Sequence, residues 1–253
     1  MITHHEWLAQ RPFTLALGAG FFGFFAHTGL LLALEQAGLR PARITGVSAG
    51  ALAGGLWASG LPASELAEEL RRLRREDFWD PGLPLGGWLR GQKFMDKLHE
   101  LLAPSGVEAI EDCSVAFATV VHDLVTRSPR VLQTGALAPA IAASCCVPLM
   151  FRPRVHVGKL LVDGGVSDRN GEQALHPEER VMMHALVSRS PWSRWFPDEM
   201  PADEVTTNRV NLVIPELPRV TPFRLEQGPV ALSHAFEAVS RWLLQPRGMP
   251  AAA

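Results

Sequence analysis

Ile44-Thr45-Gly46-Val47-Ser48-Ala49-Gly50 is the stretch on which the reading of this chain turns. Arg43 to Val47 is short and largely apolar, as a buried strand is, and Ala49 to Ala58 is the alanine-rich run of a helix. Ser48 therefore falls on the sharp turn between the two, inside a G-x-S-x-G pentapeptide whose Gly46 and Gly50 leave room for a strained backbone. A serine so placed projects its hydroxyl away from the chain. The helix start behind it offers unpaired N–H groups and a partial positive charge, both suited to a developing oxyanion.

Working toward the N-terminus, Phe13 to Leu17 reads as another buried strand, followed by Gly18-Ala19-Gly20-Phe21-Phe22-Gly23 and a helix to about Ala37, stopped by Gly38. Strand, helix, strand, helix predicts a parallel sheet, in which both glycine-rich turns open on the same carboxyl edge. Gly18, Gly20 and Gly23 match the G-x-G-x-x-G dinucleotide fingerprint, but that site needs an acidic residue near the end of the next strand, where this chain has Gly46-Val47-Ser48. The competing use of the same turn is an oxyanion hole built from the amides of Gly18, Ala19, Gly20, Phe21, Phe22 and Gly23. Phe13 to Leu34 is apolar enough to resemble a membrane span, yet it holds four glycines and His27 and shows no cleavage pattern, so a buried strand, turn and helix are expected. Met1 to Arg11 is expected to be poorly ordered.

Toward the C-terminus, Ala63 to Arg75 is an amphipathic helix with acids early and arginines late. Asp77 to Gly91, broken by Pro81, Pro84 and glycines, is a candidate lid ahead of a helix bearing Phe94, Leu98, Leu101 and Leu102. Val115 to Val121 and Arg130 to Gln133 are predicted as strands covered on both faces, Leu137 to Ser144 as a short helix, and Lys159 to Val162 as a strand that delivers Asp163-Gly164-Gly165. Val181 to Val187 and Val210 to Ile214 are two further core strands, and a helix opens at Gly228-Pro229.

With 253 residues and a net charge of −2, the chain has length for a large core and no basic excess of the kind nucleic acid selects. Its 3 cysteines, two of them adjacent at Cys145 and Cys146, suit a reducing compartment better than a disulfide framework, which predicts a cytoplasmic protein. No His, Cys or carboxylate cluster has metal-ligand spacing, and no cofactor is expected.

Taken together, Gly18 to Gly23, Gly46 to Gly50 and Asp163-Gly164-Gly165 resemble, in order and approximate spacing, the patatin-like phospholipase family. The resemblance runs from Phe13 to about Asn170 and includes Trp88-Leu89-Arg90-Gly91-Gln92-Lys93 and Ala142-Ala143-Ser144-Cys145-Cys146-Val147-Pro148. It implies an α/β fold, a three-layer α/β/α sandwich with a mainly parallel central sheet; length and patterning together with it predict one catalytic domain over 1–253, with its core at about 13–215 and a C-terminal helix at about 229–244. It implies further a serine acyl hydrolase with Ser48 as nucleophile, Asp163 as its partner, the Gly18 to Gly23 turn as oxyanion hole, and a lipid or lipid-like ester as substrate, with peripheral membrane contact and no nucleic acid. The oligomeric state is not specified. Two departures stand out: the family's usual arginine or lysine is Phe22 here, which favours neutral esters over phospholipids, and its Asn-x-Pro continuation is Arg169-Asn170-Gly171.

Three rival readings follow from the residues. His176, His184 or His234 could complete a Ser, Asp, His triad in α/β-hydrolase order. The greasy Phe21-Phe22 turn also fits a silent lipid-binding homologue. Trp192, Trp195 and Phe196, among Arg189 and Arg194, have the composition of an interfacial anchor.

Overall fold

The computed structural model describes residues 2–83, 86–187 and 206–247. The tryptophan-rich segment with Trp192, Trp195 and Phe196 lies outside the described residues, as do residues 84–85 of the proposed lid. The chain begins with a helix, α1 (His4–Ala9), rather than a loose tail. Thr3 and Glu6 form a reciprocal capping box, and Trp7 and Leu8 are buried. His4 stacks on Trp242 at 3.9 Å between ring centroids. Polar composition hid this element because three apolar-packing residues suffice to dock six; burying Trp7 and Leu8 contributes about 2 kcal/mol each.

Next come β1 (Thr14–Leu17), α2 (Phe24–Gln36), β2 (Arg43–Val47) and α3 (Ala49–Ala58), followed by α4 (Ala63–Arg72), β3 (Gly87–Leu89) and α5 (Gln92–Leu102). Then β4 (Ala116–Asp123), β5 (Ser128–Leu132), α6 (Leu137–Ser144), β6 (Leu149–Phe151), β7 (Arg154–His156) and β8 (Lys159–Asp163) lead to β9 (Val181–Ala185), β10 (Arg209–Val213) and α7 (Gln227–Leu244). The main sheet runs β10-β9-β1-β2-β4-β8-β7, with β5 also on β4, and β3 and β6 form a separate parallel pair. From β10 to β4 every pairing is parallel, whereas β5, β8 and β7 are antiparallel additions.

The period-two alternation sorts the strands between two faces. Leu15, Leu17, Ile44, Phe117, Met182 and Leu212 join the main core under the helices. Ala16, Met183, Ala185, Val47 and Val120 face the other way, onto the 164–180 segment with its two short 3₁₀ turns, which makes the third layer thin. Helix α2 is buried on most sides by α7, α3 and α4, which explains its continuous apolarity without a membrane. No helix among the described residues is long and apolar enough to cross a membrane. The expected two-face burial of β5 fails: it is a hairpin partner of β4 and stays half-exposed.

Candidate active site

Strand β4 outruns β2, and that single mismatch assembles the site. Residues Thr119 and Val120 of β4 pair with β2 on one edge and with β5 on the other; Val121 to Asp123 pair with β8 and β5. Strands β2 and β8 therefore share one edge of β4 and approach head to head. β2 ends with Val47 opposite Val120, and β8 ends with Asp163 opposite Val121, the adjacent residue. Ser48, next after Val47, meets Asp163 at this junction, with its hydroxyl within interaction reach of the Asp163 carboxyl.

Ser48 has φ 54° and ψ −116°, a backbone region that non-glycine residues avoid. The strain is held by its surroundings. The Ser48 N–H donates to Ser144 Oγ at 2.9 Å, Ser144 Oγ donates to the Val120 carbonyl at 2.7 Å, and the Cys145 thiol donates to the Ser48 carbonyl at 3.1 Å. Burial pushes the Cys145 thiol well up, so it remains a neutral donor rather than a thiolate. The flanking glycines are required by close approach: a Cβ on Gly50 would stand 2.1 Å from the Leu17 carbonyl oxygen, and one on Gly46 would stand 2.5 Å from that of Gly50.

Asp163 is buried, and burial lifts its carboxyl to about 6 against the opposing pull of Ser48, the Gly165 N–H and Arg169. Gly165 N donates to Oδ1 at 2.8 Å, and Asp163 N donates to the Cys146 carbonyl at 2.9 Å, so both ends of the residue are fixed. A Cβ on Gly164 would meet the Val120 carbonyl at 2.3 Å, which ties the Asp-Gly-Gly turn to β4.

Across the edge, the Gly18 to Gly23 turn divides into two parts. Gly18 N donates to the His184 carbonyl at 3.1 Å, Ala19 N to that of Arg169 at 2.7 Å, and Gly23 N to that of Gly20 at 2.8 Å, so these three amides serve the fold. The N–H groups of Gly20, Phe21 and Phe22 have no such partner among the described residues. Phe22 holds φ 58° and is buried against Phe24 and Phe78, while Phe21 is exposed.

Arg169 brackets the turn: its carbonyl takes the Ala19 N–H, and its guanidinium donates to the carbonyls of Ala19 and Leu186, each at 3.1 Å. Behind the turn, His27 and His184 are fully buried, their Nδ1 atoms 2.9 Å apart, with His27 Nε2 2.9 Å from the Gly18 carbonyl. Sequence reasoning missed the supporting roles of Ser144, Arg169 and His27. Ser144 and Arg169 lie within motifs already singled out, but which hydroxyl or guanidinium would point at a backbone group is not written in the spacing.

The three rival histidines do not reach the pair. His184 is committed to His27, exposed His176 faces Glu179, and His234 sits on α7; none hydrogen-bonds Ser48 or Asp163 among the described residues. No group of three or more His, Cys, Asp or Glu among the described residues could hold a metal ion.

From Ser48 a narrow cavity of about 110 Å³ runs inward between α3, α4 and α5. Gly20, Phe21, Phe22 and Ala49 line it beside Ser48; Leu52, Leu56, Leu70, Leu98 and Leu101 make it apolar farther in. Among the described residues Lys97 is its one cationic lining residue, and its ammonium is already paired with Glu69 and Glu100 at 3.2 and 2.8 Å. A more open groove of about 460 Å³ between α4 and α5 is lined by Glu65, Glu68, Glu69 and Glu100; it shares Leu101 with the first cavity but includes neither Ser48, Asp163 nor the Gly18 to Gly23 turn.

A family profile described as patatin-like phospholipase matches residues 15–176. An uncharacterised NTE family protein of Mycobacterium tuberculosis is 34% identical over 157 residues, 61% of this chain and 42% of that protein. The neuropathy target esterase of Drosophila melanogaster is 27% identical over 181 residues, 68% of this chain and 12% of the fly protein. This chain thus spans less than half the length of either relative. Among solved structures, VipD from Legionella pneumophila superposes with a TM-score of 0.62 at 13% identity, covering 92% of this chain and 66% of that one, which is a likeness of fold.

Proposed function

Because the chain belongs to the patatin-like phospholipase family, we propose that it is a serine acyl hydrolase cleaving lipid or lipid-like esters through Ser48 and Asp163. The observation that carries this reading is the junction on β4, where a strained serine and a buried carboxylate meet at the mouth of an apolar cavity.

In this reading an acyl chain occupies the cavity and places its ester carbonyl over Ser48. Ser48 Oγ attacks the carbonyl carbon as its proton passes to the Asp163 carboxylate. The carbonyl oxygen, now anionic, takes hydrogen bonds from the amides of Gly20, Phe21 and Phe22, and from Ala49 at the start of α3. When the tetrahedral adduct collapses, the carbon–oxygen bond to the leaving alcohol breaks, and the alkoxide takes the proton from Asp163. Water then attacks the acyl-serine, giving its proton to Asp163, and the fatty acid leaves as Ser48 recovers its hydrogen. A carboxyl lifted to about 6 is a stronger base than a solvated aspartate and is still mostly ionised at neutral pH.

The electrostatics of the cavity favour neutral substrates. Phe22 supplies no cation, and Lys97 is neutralised by Glu69 and Glu100, so no described residue lining the cavity selects a phosphate. The test is hydrolysis of p-nitrophenyl esters and of neutral acylglycerols against phospholipids at neutral pH. Ser48→Ala is expected to abolish release from every substrate with the fold intact. Full activity in that variant removes the reading.

A further inference from the structure

Past the carboxyl edge of the sheet, two antiparallel hairpins project beyond the junction of Ser48 and Asp163. One is the β4–β5 turn at 124–127; the other is the β7–β8 turn at Val157-Gly158. They are fastened side by side, since Leu124 N donates to the Leu160 carbonyl at 2.9 Å. Their tips are apolar and open to solvent: Val125 is 75% exposed, Val155 76% and Val157 75%.

Val157 is the telling residue. With φ 48°, followed by Gly158 at φ 68°, it occupies the first position of a two-residue turn closed by the His156–Lys159 pair. Asparagine or glycine is the residue such a turn favours, and a β-branched side chain at positive φ is an outlier. Local backbone preference and solubility both speak against a valine here, so what rewards it must be an apolar medium outside the fold.

Charge points to the kind of medium. Residues 123–130 and 154–161 carry four cations, Arg127, Arg130, Arg154 and Lys159, against one carboxylate, Asp123, which is buried and paired with Arg130. This local excess sits in a chain whose net charge is −2. The neighbouring loops of this edge share that apolar exposure. Phe21 and Val187, both exposed, follow the carboxyl ends of β1 and β9, whereas the loops entering β1, β2, β4 and β9 at the opposite edge expose no large apolar side chain among the described residues.

We propose that these two hairpins dock the protein on an anionic phospholipid surface, with Val125, Val155 and Val157 seated at the boundary of headgroups and acyl chains, and with Arg127 and Lys159 on lipid phosphates. Seated so, the edge carrying Ser48 faces the lipid. A second copy of the chain is a poorer occupant, because it would bring two cationic patches together. The proposal is independent of whether Ser48 reacts.

The experiment is flotation of the full chain carrying Ser48→Ala, so that no lipid is consumed, with vesicles of phosphatidylcholine alone or mixed with phosphatidylglycerol. Binding is expected to the mixed vesicles and to weaken with added salt. Val155→Ser with Val157→Asn is expected to lower vesicle affinity at least about tenfold per valine. In the parent background the same pair should leave hydrolysis of a water-soluble ester unchanged. Asparagine suits the positive φ, so thermal stability should hold or rise. Val125→Ser alone, on the other hairpin, should weaken binding in the same direction, and Arg127→Gln with Lys159→Gln should abolish the preference for mixed vesicles. The proposal is overturned if the parent ignores both vesicles, if the valine variants float like the parent, or if the parent is a concentration-dependent dimer that the valine variants convert to monomer.

Discussion

The hydroxyl of Ser144 stands between the nucleophile's backbone and the strand that carries the aspartate: it accepts from the Ser48 N–H at 2.9 Å and donates to the Val120 carbonyl at 2.7 Å. One fully buried side chain thus links the turn after β2 to the β4 position beside which Asp163 lands. Ser144→Ala leaves two buried backbone groups without a partner, at a cost of about 1–3 kcal/mol each if unrelieved. The expected result is a lower melting temperature together with a fall in kcat of about a hundredfold as the elbow loosens, with KM for a short ester little changed. A variant with wild-type kcat would show that the strained turn holds without this bridge.

Replacing Asp163 separates stability from activity. Its carboxyl binds a proton more tightly in the folded state, at about 6, than at the ordinary value of 3.8, so folding loses stability as pH rises from 3.8 to 6 and the loss stays constant above that. At pH 8 the buried charge costs about 3 kcal/mol on this account. Asp163→Asn is therefore expected to abolish esterase activity while raising the melting temperature at pH 8 and leaving it nearly unchanged below pH 4. In the wild-type enzyme, kcat/KM should fall as pH drops through about 6, where the base is lost to protonation.

The buried imidazoles predict acid sensitivity of the opposite sign. Burial lowers His4 and His27 to about 4 and His184 well below 6.5. All three then stay neutral in the fold while their unfolded counterparts take up protons, so their contribution is complete above pH 6.5 and declines as pH falls toward 4. Three such groups outweigh the single gain from Asp163. Melting temperature measured across that window should drop steeply, and His4→Gln should flatten the slope.

Leu186 limits what the glycine turn can accept. A Cβ on Gly23 would lie 2.1 Å from Leu186 Cδ1, a flexible side-chain end, whereas the one on Gly50 would strike backbone. Gly23→Ala should thus be rescued in part by Leu186→Ala, with a favourable coupling of roughly 1 kcal/mol in a double-mutant cycle. No side-chain truncation should rescue Gly50→Ala.

If the apolar cavity holds the acyl chain, filling it should shift chain-length preference. Leu101→Trp is expected to raise KM for long-chain p-nitrophenyl esters about tenfold and to leave acetate hydrolysis unchanged. A uniform loss over all chain lengths would place the acyl group elsewhere.

Much of this arrangement was legible in the sequence because periodicity and turn chemistry act locally. The strands at Leu15, Ile44 and Met182, the α6 boundaries at Leu137 and Ser144, and the elbow at Ser48 all follow from nearby residues. What could not be read was set at long range. The antiparallel entry of β8, which turns Asp163 back toward Ser48, depends on β4 being longer than β2. The amides of Gly18, Ala19 and Gly23 are taken by His184, Arg169 and Gly20, so the free part of the turn is half as long as the motif. Helix α1 was hidden because its docking partner, Trp242, lies at the other end of the chain.

The most direct measurement is mass spectrometry of the protein after reaction with an alkyl fluorophosphonate at pH 8, followed by peptide mapping. The account predicts one adduct per chain on the Ser48 hydroxyl, formed at least about a hundredfold more slowly in Asp163→Asn. A folded protein that takes no adduct, or takes it on another residue, would contradict it.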